Sequence, residues 1–600
     1  MKQISTLFCI LALHVFASEA QETEVVKTPA GRLRGLKVTA SNGQSLWAFR
    51  GIPFAQPPVR QLRFSKPLAF PVQSEIIDAT RQRASCIQAE AKLAPNEMTS
   101  EDCLFLNIFV KDLQGSPAAR KKVLVYIHGG AFFLGSSFVF SPGSIVTDHD
   151  IIVVVIQYRI GALGFLTTRN QAALGNYALW DQVLALKWVK DNIGAFGGDA
   201  NDVTVAGESA GSMSVSILTL SPETKGLFTK AYSASGVAMS TITDYRNSDS
   251  IIMSLAKSLN CWNKTDTVKL DTITSVEVVQ CLRARPSSDF AKIQFATSSK
   301  PIYVPWVDGE IIPRSPRDLL KDTEYLKSIG FYDRRYLYSV TNNEQSVLAQ
   351  FLAETKMHIY SNKTLSEEDK EKSWRNALSA STRKSVYDIL GAEHATDKNI
   401  RTAQDWYSAR RSAPYDVYEL NADLTFIIPT FDFLDVIAKS GRTYSWLLYF
   451  NHYPKVITGN SKGVAHGLDL AYWFDFNTDT IRRRFVAGIG EFEEEDLNLK
   501  KVFSSVVANF AIHGNPESPL LDLGSCRWRP NGSYYLNFKP RATVERNLRL
   551  EQRQLWTKEV LGTCSEEWGA TSGFKFWSAY SITSFTVLLT SFCVSFIPLL

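Results

Sequence analysis

An α/β fold, with a large and mostly parallel sheet flanked by helices, is predicted by three observations. Short β-branched or aromatic runs end in turns, helical patterns lie between several of them, and no linker divides the chain between about residues 24 and 565. The strand-like runs are, in order, Lys122 to His128, Ile151 to Tyr158, Val203 to Ala206, Arg335 to Val340 and Tyr444 to Phe450. Such side chains pack well on a pleated, half-buried surface. Between the second and third runs, Tyr177 to Ile193 sets Leu179, Val183, Leu186, Trp188 and Val189 largely along one stripe, which is helical spacing. A chain of 600 residues suggests several domains at roughly 150 residues each. With no Pro, Gly or Ser tract, repeat or low-complexity run to cut it, one large core spanning residues 21–568 is the simpler expectation. In sheets of this kind, sites form beyond the C-terminal ends of the strands.

The two ends carry a different signal. Lys2, an apolar stretch from Ile4 to Phe16 and the small residues of Ser18-Glu19-Ala20 read as a secretory signal over residues 1–20. The stretch is too short to span a bilayer, and the competing reading is a buried N-terminal strand or helix. Near the other end, Gly569-Ala570-Thr571-Ser572-Gly573 precedes a spacer and an apolar run from Ile582 to Leu600 with no Lys or Arg after it. Residues 569–600 thus have the pattern of a GPI-attachment signal, with Gly569, Ala570 and Ser572 as attachment positions. A helix ending in the membrane and a tail packed on the domain are the alternatives. The expected location is extracellular, secreted or at the cell surface, with membrane contact through the tail or its lipid replacement.

Eight cysteines are present, of which Cys9 lies in the leader and Cys593 in the tail. The remaining Cys86, Cys103, Cys261, Cys281, Cys526 and Cys564 can pair in about 15 ways. Closing either short loop, Cys86 with Cys103 or Cys261 with Cys281, is worth roughly 3 kcal/mol in the chain-entropy model. No Cys-x-x-Cys occurs, so neither a zinc site nor a thioredoxin-like centre is supported, and no metal or cofactor is expected. Asn263, Asn362 and Asn531 head Asn-x-Ser/Thr tripeptides and are glycosylation candidates. A formal net charge of +5 is too dilute for nucleic-acid binding. The charges from Arg482-Arg483-Arg484 to Glu491, Glu493, Glu494, Glu495 and Asp496 read as a solvated face or loop.

The chemistry centres on Gly207-Glu208-Ser209-Ala210-Gly211, which ends the third strand-like run. Gly-x-Ser-x-Gly after a strand is the pattern of a strained strand-to-helix turn that exposes a serine hydroxyl, with glycines where side chains would collide with the strand and helix. A serine hydroxyl needs a general base, and the base needs a carboxylate to fix its tautomer. The order Ser, acid, His leaves His358, His394, His452, His466 and His513. His358 and His394 lie in polar, helix-like surroundings, and His513 reads as a helix C-terminal residue. His452 and His466 both follow the last strand-like run. Glycine flanks in Gly463-Val464-Ala465-His466-Gly467 favour His466 without deciding between them. For the acid, Glu344 comes directly after a strand; Asp308 in Val307-Asp308-Gly309 reads as a turn, and Glu208 is too near Ser209 to orient the base. Tyr126-Ile127-His128-Gly129-Gly130-Ala131-Phe132 matches a loop that lends backbone N–H groups to an oxyanion. Donors at Gly130, Ala131 and Ala210 would each lower a barrier by roughly 2.7 to 4 kcal/mol.

At this point the sequence resembles the type-B carboxylesterases, the family that includes cholinesterases and liver-type carboxylesterases. The resemblance runs from about Val25 to Trp556. Phe49-Arg50-Gly51-Ile52-Pro53-Phe54-Ala55 with Pro57-Pro58 is similar to the family's N-terminal signature, and Glu101-Asp102-Cys103-Leu104-Phe105-Leu106-Asn107 to its second. Tyr158-Arg159, Gly175-Asn176, Asp181-Gln182, Phe196-Gly197-Gly198-Asp199 and the serine motif follow in the family's order. The resemblance implies an α/β-hydrolase fold, hydrolysis of a small-molecule ester, a triad of Ser209, Glu344 and His466, and disulfides Cys86–Cys103 and Cys261–Cys281. A further disulfide of cholinesterases needs a cysteine near residue 400, and none is present. Leu93 stands where cholinesterases carry a tryptophan whose face binds a quaternary ammonium. Ala131 replaces a glycine of the oxyanion run and is expected to disfavour bulky alcohol carbons, whereas Gln157, Ala178 and Ala200 depart from the family with no evident catalytic consequence. The expected function is therefore a serine carboxylesterase; a cholinesterase and a non-catalytic cell-surface binding protein on the same scaffold are the alternatives.

Overall fold

The structure, a computed structural model, describes residues 22–560 apart from 89–96, 114–119, 241–247, 263–271, 297–302, 347–355, 358, 391–393, 411–414, 442–444, 455–462, 477–491, 525, 527 and 529–533. The leader, the C-terminal tail, Leu93, Asn263, His358, Arg482 to Arg484, Asn531 and Cys564 lie outside the described residues.

Among the described residues the main sheet has 13 strands. The first part of the chain supplies β1 (Thr23–Thr28), β2 (Gly31–Thr39), β3 (Ser45–Pro53) and β4 (Ile76–Asp78). A separate pair, β5 (Ser85–Cys86) and β6 (Thr99–Ser100), follows, and then β7 (Phe105–Val110), β8 (Lys121–Ile127), β9 (Ile152–Ile156), β10 (Gly198–Glu208) and β11 (Lys230–Ala234). The last are β12 (Arg335–Thr341), β13 (Ser445–Phe450), β14 (Tyr534–Phe538) and β15 (Thr543–Arg546). Across the sheet the order is β1-β2-β3-β7-β9-β8-β10-β11-β12-β13-β14-β15, with β4 beside β2. From β9 to β14 every neighbouring pair is parallel, and antiparallel pairs close both sides. The expected mostly parallel α/β sheet is therefore present, and the chain has the α/β-hydrolase architecture.

Side-chain alternation explains why both faces of this sheet are covered. In β8, Val123, Val125 and Ile127 join one apolar cluster, while Leu124 and Tyr126 join the cluster on the opposite face. The same split divides Ile152, Val154 and Ile156 from Val153 and Val155 in β9. Two helices matter most for the site: α1 (Tyr177–Asn192) and α2 (Ala210–Leu220), the second buried along its whole length. The stripe expected along α1 is buried, but so are Ala178, Asp181, Gln182 and Ala185, so the helix is enclosed on more than one face.

Disulfides join Cys86 to Cys103 and Cys261 to Cys281. Cys526 is exposed and unpaired among the described residues. One expectation needs correction. Asp496 belongs not to a solvated face but to the buried first turn of α3 (Glu494–His513), where it completes a capping box with Glu493. It also accepts hydrogen bonds from His452 Nε2 at 2.6 Å and the Tyr472 hydroxyl at 3.2 Å, and those partners repay its burial.

Candidate active site

Ser209 lies between β10 and α2 with φ 57° and ψ −124°, a conformation that a residue with a side chain adopts only under constraint. The constraint comes from both sides. A Cβ on Gly207 would press on the backbone of Gly211, and a Cβ on Gly211 would press on the carbonyl oxygen of Ile127 in β8. Hydrogen bonds from Ser209 N to Ala234 O and from Met213 N to Ser209 O, both 2.9 Å, tie the turn to β11 and to the first turn of α2.

His466 and Glu344 reach this serine from the ends of two later strands. His466 Nε2 is 2.8 Å from Ser209 Oγ, and its Nδ1 is 2.5 Å from Glu344 Oε2. With the carboxylate accepting the Nδ1 proton, Nε2 presents its lone pair to the Ser209 hydroxyl. The other Glu344 oxygen accepts from the Thr341 backbone at 2.7 Å and from the Ser235 hydroxyl at 2.6 Å. The two loops are also joined directly. Val464 N donates to Asn342 Oδ1 at 2.6 Å, His466 N donates to Ser346 Oγ at 2.8 Å, and Asn343 bridges to Ala465. Gly463 (φ +120°) and Gly467 (φ +78°) permit the turn that carries the imidazole.

His452 pairs with Asp496 and His466 with Glu344, so the two candidate bases are told apart by their partners. Asp308 accepts from Asn176, Glu310 and Ile312 within a turn, and His513 ends α3 before Gly514, both as expected. His394 is half-buried.

Electrostatics couples more carboxyls to the histidine than the one at Nδ1. Glu208 Oε1 lies 3.2 Å from His466 Nε2, and burial pushes its carboxyl well above the usual carboxylate range. Burial opposes the His466 imidazolium, but Glu208 and Glu344 outweigh it and raise the histidine. When Glu208 takes up a proton, its share of that push is withdrawn, so the two groups titrate as a pair. Asp469, buried three residues beyond His466, is pushed up to about 7 by burial and by Glu344. The Phe426 ring packs 4.9 Å from the imidazole.

The loop after β8 supplies the remaining elements. Gly130 (φ +113°), Ala131 (φ +52°) and Phe132 (φ +64°) run in succession through left-handed conformations. Phe133 N and Leu134 N donate to Gly130 O, and Gly161 N donates to Phe132 O at 2.7 Å, which pins the loop. Gly129 packs so closely that an added Cβ would stand 2.6 Å from Glu208 O and 3.1 Å from Ser209 Cβ. Gly130 and Ala131 thus follow a residue in contact with the serine turn, and Ala210 opens α2 on its other side. Of the groups the sequence reading passed over, Ser235, Ser346, Asn342, Phe426 and Asp469, only Ser235 carried a local cue, a small-residue turn ending β11.

The family model described as the carboxylesterase family matches residues 22–556. The chain belongs to the carboxylesterase family. Membership makes it a carboxylic ester hydrolase, and the relatives agree across most of the chain. It is 29% identical to an acylcarnitine hydrolase of Mus musculus, over 92% of this chain and 94% of the relative. It is 30% identical to a bile salt-activated lipase of the same species, over 94% and 92%, and 29% identical to an acetylcholinesterase of Leptinotarsa decemlineata, over 82% and 79%. The family's Tyr158-Arg159 and Asp181-Gln182 motifs meet in this structure as a buried two-pronged pair. Arg159 Nη2 and Nε lie 2.7 and 2.8 Å from the oxygens of Asp181.

Proposed function

We propose that the chain is a serine carboxylesterase that cleaves uncharged carboxylic esters through an acyl-enzyme. The observation that carries this reading is the continuous relay from Ser209 Oγ through His466 to Glu344. Ser209 Oγ attacks the ester carbonyl carbon while His466 Nε2 takes the hydroxyl proton. The carbon–oxygen bond to the alcohol then breaks, and His466 returns the proton to the departing oxygen. A water molecule repeats the sequence on the acyl carbon and regenerates the serine. Glu344 orients His466 and stabilises its charged form; the N–H groups of Gly130, Ala131 and Ala210 hold the oxyanion. The chemistry calls for no cofactor.

Preference for an uncharged ester is supported by Leu93, which stands where a cholinesterase carries an aromatic residue to face a quaternary ammonium. The cholinesterase reading is favoured by the likeness to the Leptinotarsa acetylcholinesterase. The disulfides support an oxidising compartment, and the end signals support secretion with a GPI anchor at residues 569–572.

The test is hydrolysis of a short-chain naphthyl or nitrophenyl ester beside acetylthiocholine by secreted protein truncated near Ser565, with Ser209→Ala as control. Turnover of the neutral ester that the substitution abolishes supports the proposal. Preference for acetylthiocholine would make it a cholinesterase, and folded protein inert to both would point to a binding protein.

A further inference from the structure

Beside Glu344 lies a small pocket lined by Thr341, Gln345, Glu419, Asp423 and Arg549 as well as Glu344 itself. Three separate parts of the chain meet there. Helix α5 (Tyr415–Ala422) contributes Glu419, Asp423 opens a π-helical turn, Asp423–Ile427, and Tyr407 of α4 (Asp397–Ser408) bonds to Asp423. Arg549 arrives from beyond the last strand of the sheet. Its guanidinium pairs with Glu419 and lies 4.0 Å from Asp423 Oδ2, the oxygen that accepts the Tyr407 hydroxyl at 2.8 Å.

The turn that Asp423 opens carries Phe426, whose ring packs on the His466 imidazole. A π-helical turn carries one more residue per hydrogen-bonded loop than an α-helix and is rare, appearing mostly as a single turn inside an α-helix. The hold on it here is polar at one end and apolar at the other. Next along the chain is α6 (Ile428–Lys439), where the Phe431 ring lies under the Arg553 guanidinium at 3.5 Å. Trp556 is fully buried in one cluster with Tyr407, Leu424 and Ile428. The segment Arg549 to Trp556 therefore grips the chain on both sides of Phe426.

We propose that Asp423 and Arg549 are positioning residues for ester hydrolysis, fixing the turn that sets Phe426 against His466 and so keeping Nε2 aimed at Ser209. Phe426 stops the imidazole from swinging away from the serine, and its ring stands close enough to favour the imidazolium that forms as Ser209 gives up its proton. The inference rests on the reading of Ser209, Glu344 and His466 as a triad.

The test uses the secreted protein and nitrophenyl acetate, comparing wild type, Ser209→Ala, Asp423→Asn, Phe426→Leu and the Asp423→Asn/Phe426→Leu double variant. Asp423→Asn is expected to lower kcat by about 10- to 100-fold with little change in KM, because a misaimed base costs rate and not ground-state binding. The double variant is expected to be no slower than the worse single one, since both changes act through one contact. If Asp423→Asn does not accumulate as folded protein, Arg549→Lys, which keeps the charge and loses the fork, is expected to give the same split. Wild-type kcat in the folded Asp423→Asn or Arg549→Lys protein, or fully additive losses in the double variant, would overturn the proposal while leaving the triad intact. Equal activity of wild type and Ser209→Ala would overturn the triad reading and this inference with it.

Discussion

At Ser209 the backbone stores strain of order 1–3 kcal/mol so that one hydroxyl can face an imidazole at 2.8 Å. Ser209→Ala leaves that geometry and removes the nucleophile, so ester turnover is expected to fall by at least about 10³-fold with an unchanged unfolding temperature. Glu208 sets the working pH. Its carboxylate raises His466, and catalysis needs the unprotonated imidazole, so Glu208→Gln is expected to move the acidic limb of the kcat/KM profile to lower pH. A limb that stays in place or moves up would contradict that account. Ser209 was legible in the sequence because its glycine flanks are a local requirement, and Glu344 and His466 became so through the resemblance. Asp469 and Phe426 were not, because each acquires its role from burial or contact that the chain's local pattern does not show. His452 shows the same limit from the other side: Asp496, which engages it, lies 44 residues further along.

The strand-turn-helix element tolerates least. Gly211→Ala would drive a methyl against the Ile127 carbonyl of a central strand, where backbone cannot give way cheaply. The variant is expected to lose activity and at least about 1–3 kcal/mol of stability, read as a lowered unfolding temperature. Five of the central strands, β8, β9, β10, β12 and β13, were readable as short apolar runs, most ends displaced by a residue or two, whereas β11 between β10 and β12 was not singled out. β10 is longer than its apolar stretch because pairing with β8 resumes at Gly198 beyond an irregularity. The antiparallel strands at the start of the chain gave a weaker signal. β2 alternates buried and exposed residues from Gly31 to Gly35, but the exposed Arg32, Arg34 and Lys37 dilute its apolar character. α1 was recognised by its stripe, yet the burial of Asp181 depends on Arg159, a partner that periodicity does not reveal.

Over the whole molecule, protonation has opposite effects on activity and stability. Burial lifts Asp469 and Asp435 to about 7, so the folded protein holds these protons more tightly than the unfolded chain. Stability from this source is fully present below the ordinary carboxylate value of about 4 and is lost progressively as pH rises from there to the folded value of about 7. Unfolding temperature is accordingly expected to gain from these groups on acidification from about pH 7 to 5 while activity falls, and Asp469→Asn should flatten the slope. Removing the Cys261–Cys281 bridge with paired alanines is expected to cost roughly 3 kcal/mol, measurable by thermal unfolding. Exposed Asn362, whose Oδ1 accepts from the Thr364 backbone and hydroxyl, is expected to carry glycan in secreted protein. Asn362→Gln would then remove one glycosidase-sensitive increment of mass. The most direct test of the central claim is to mix secreted protein with excess nitrophenyl acetate, quench within the first turnover and locate the acyl group by peptide mass spectrometry. An initial release of about one equivalent of nitrophenol, with acetyl on Ser209 and none in Ser209→Ala, is the predicted result; steady turnover with Ser209 unmodified would contradict it.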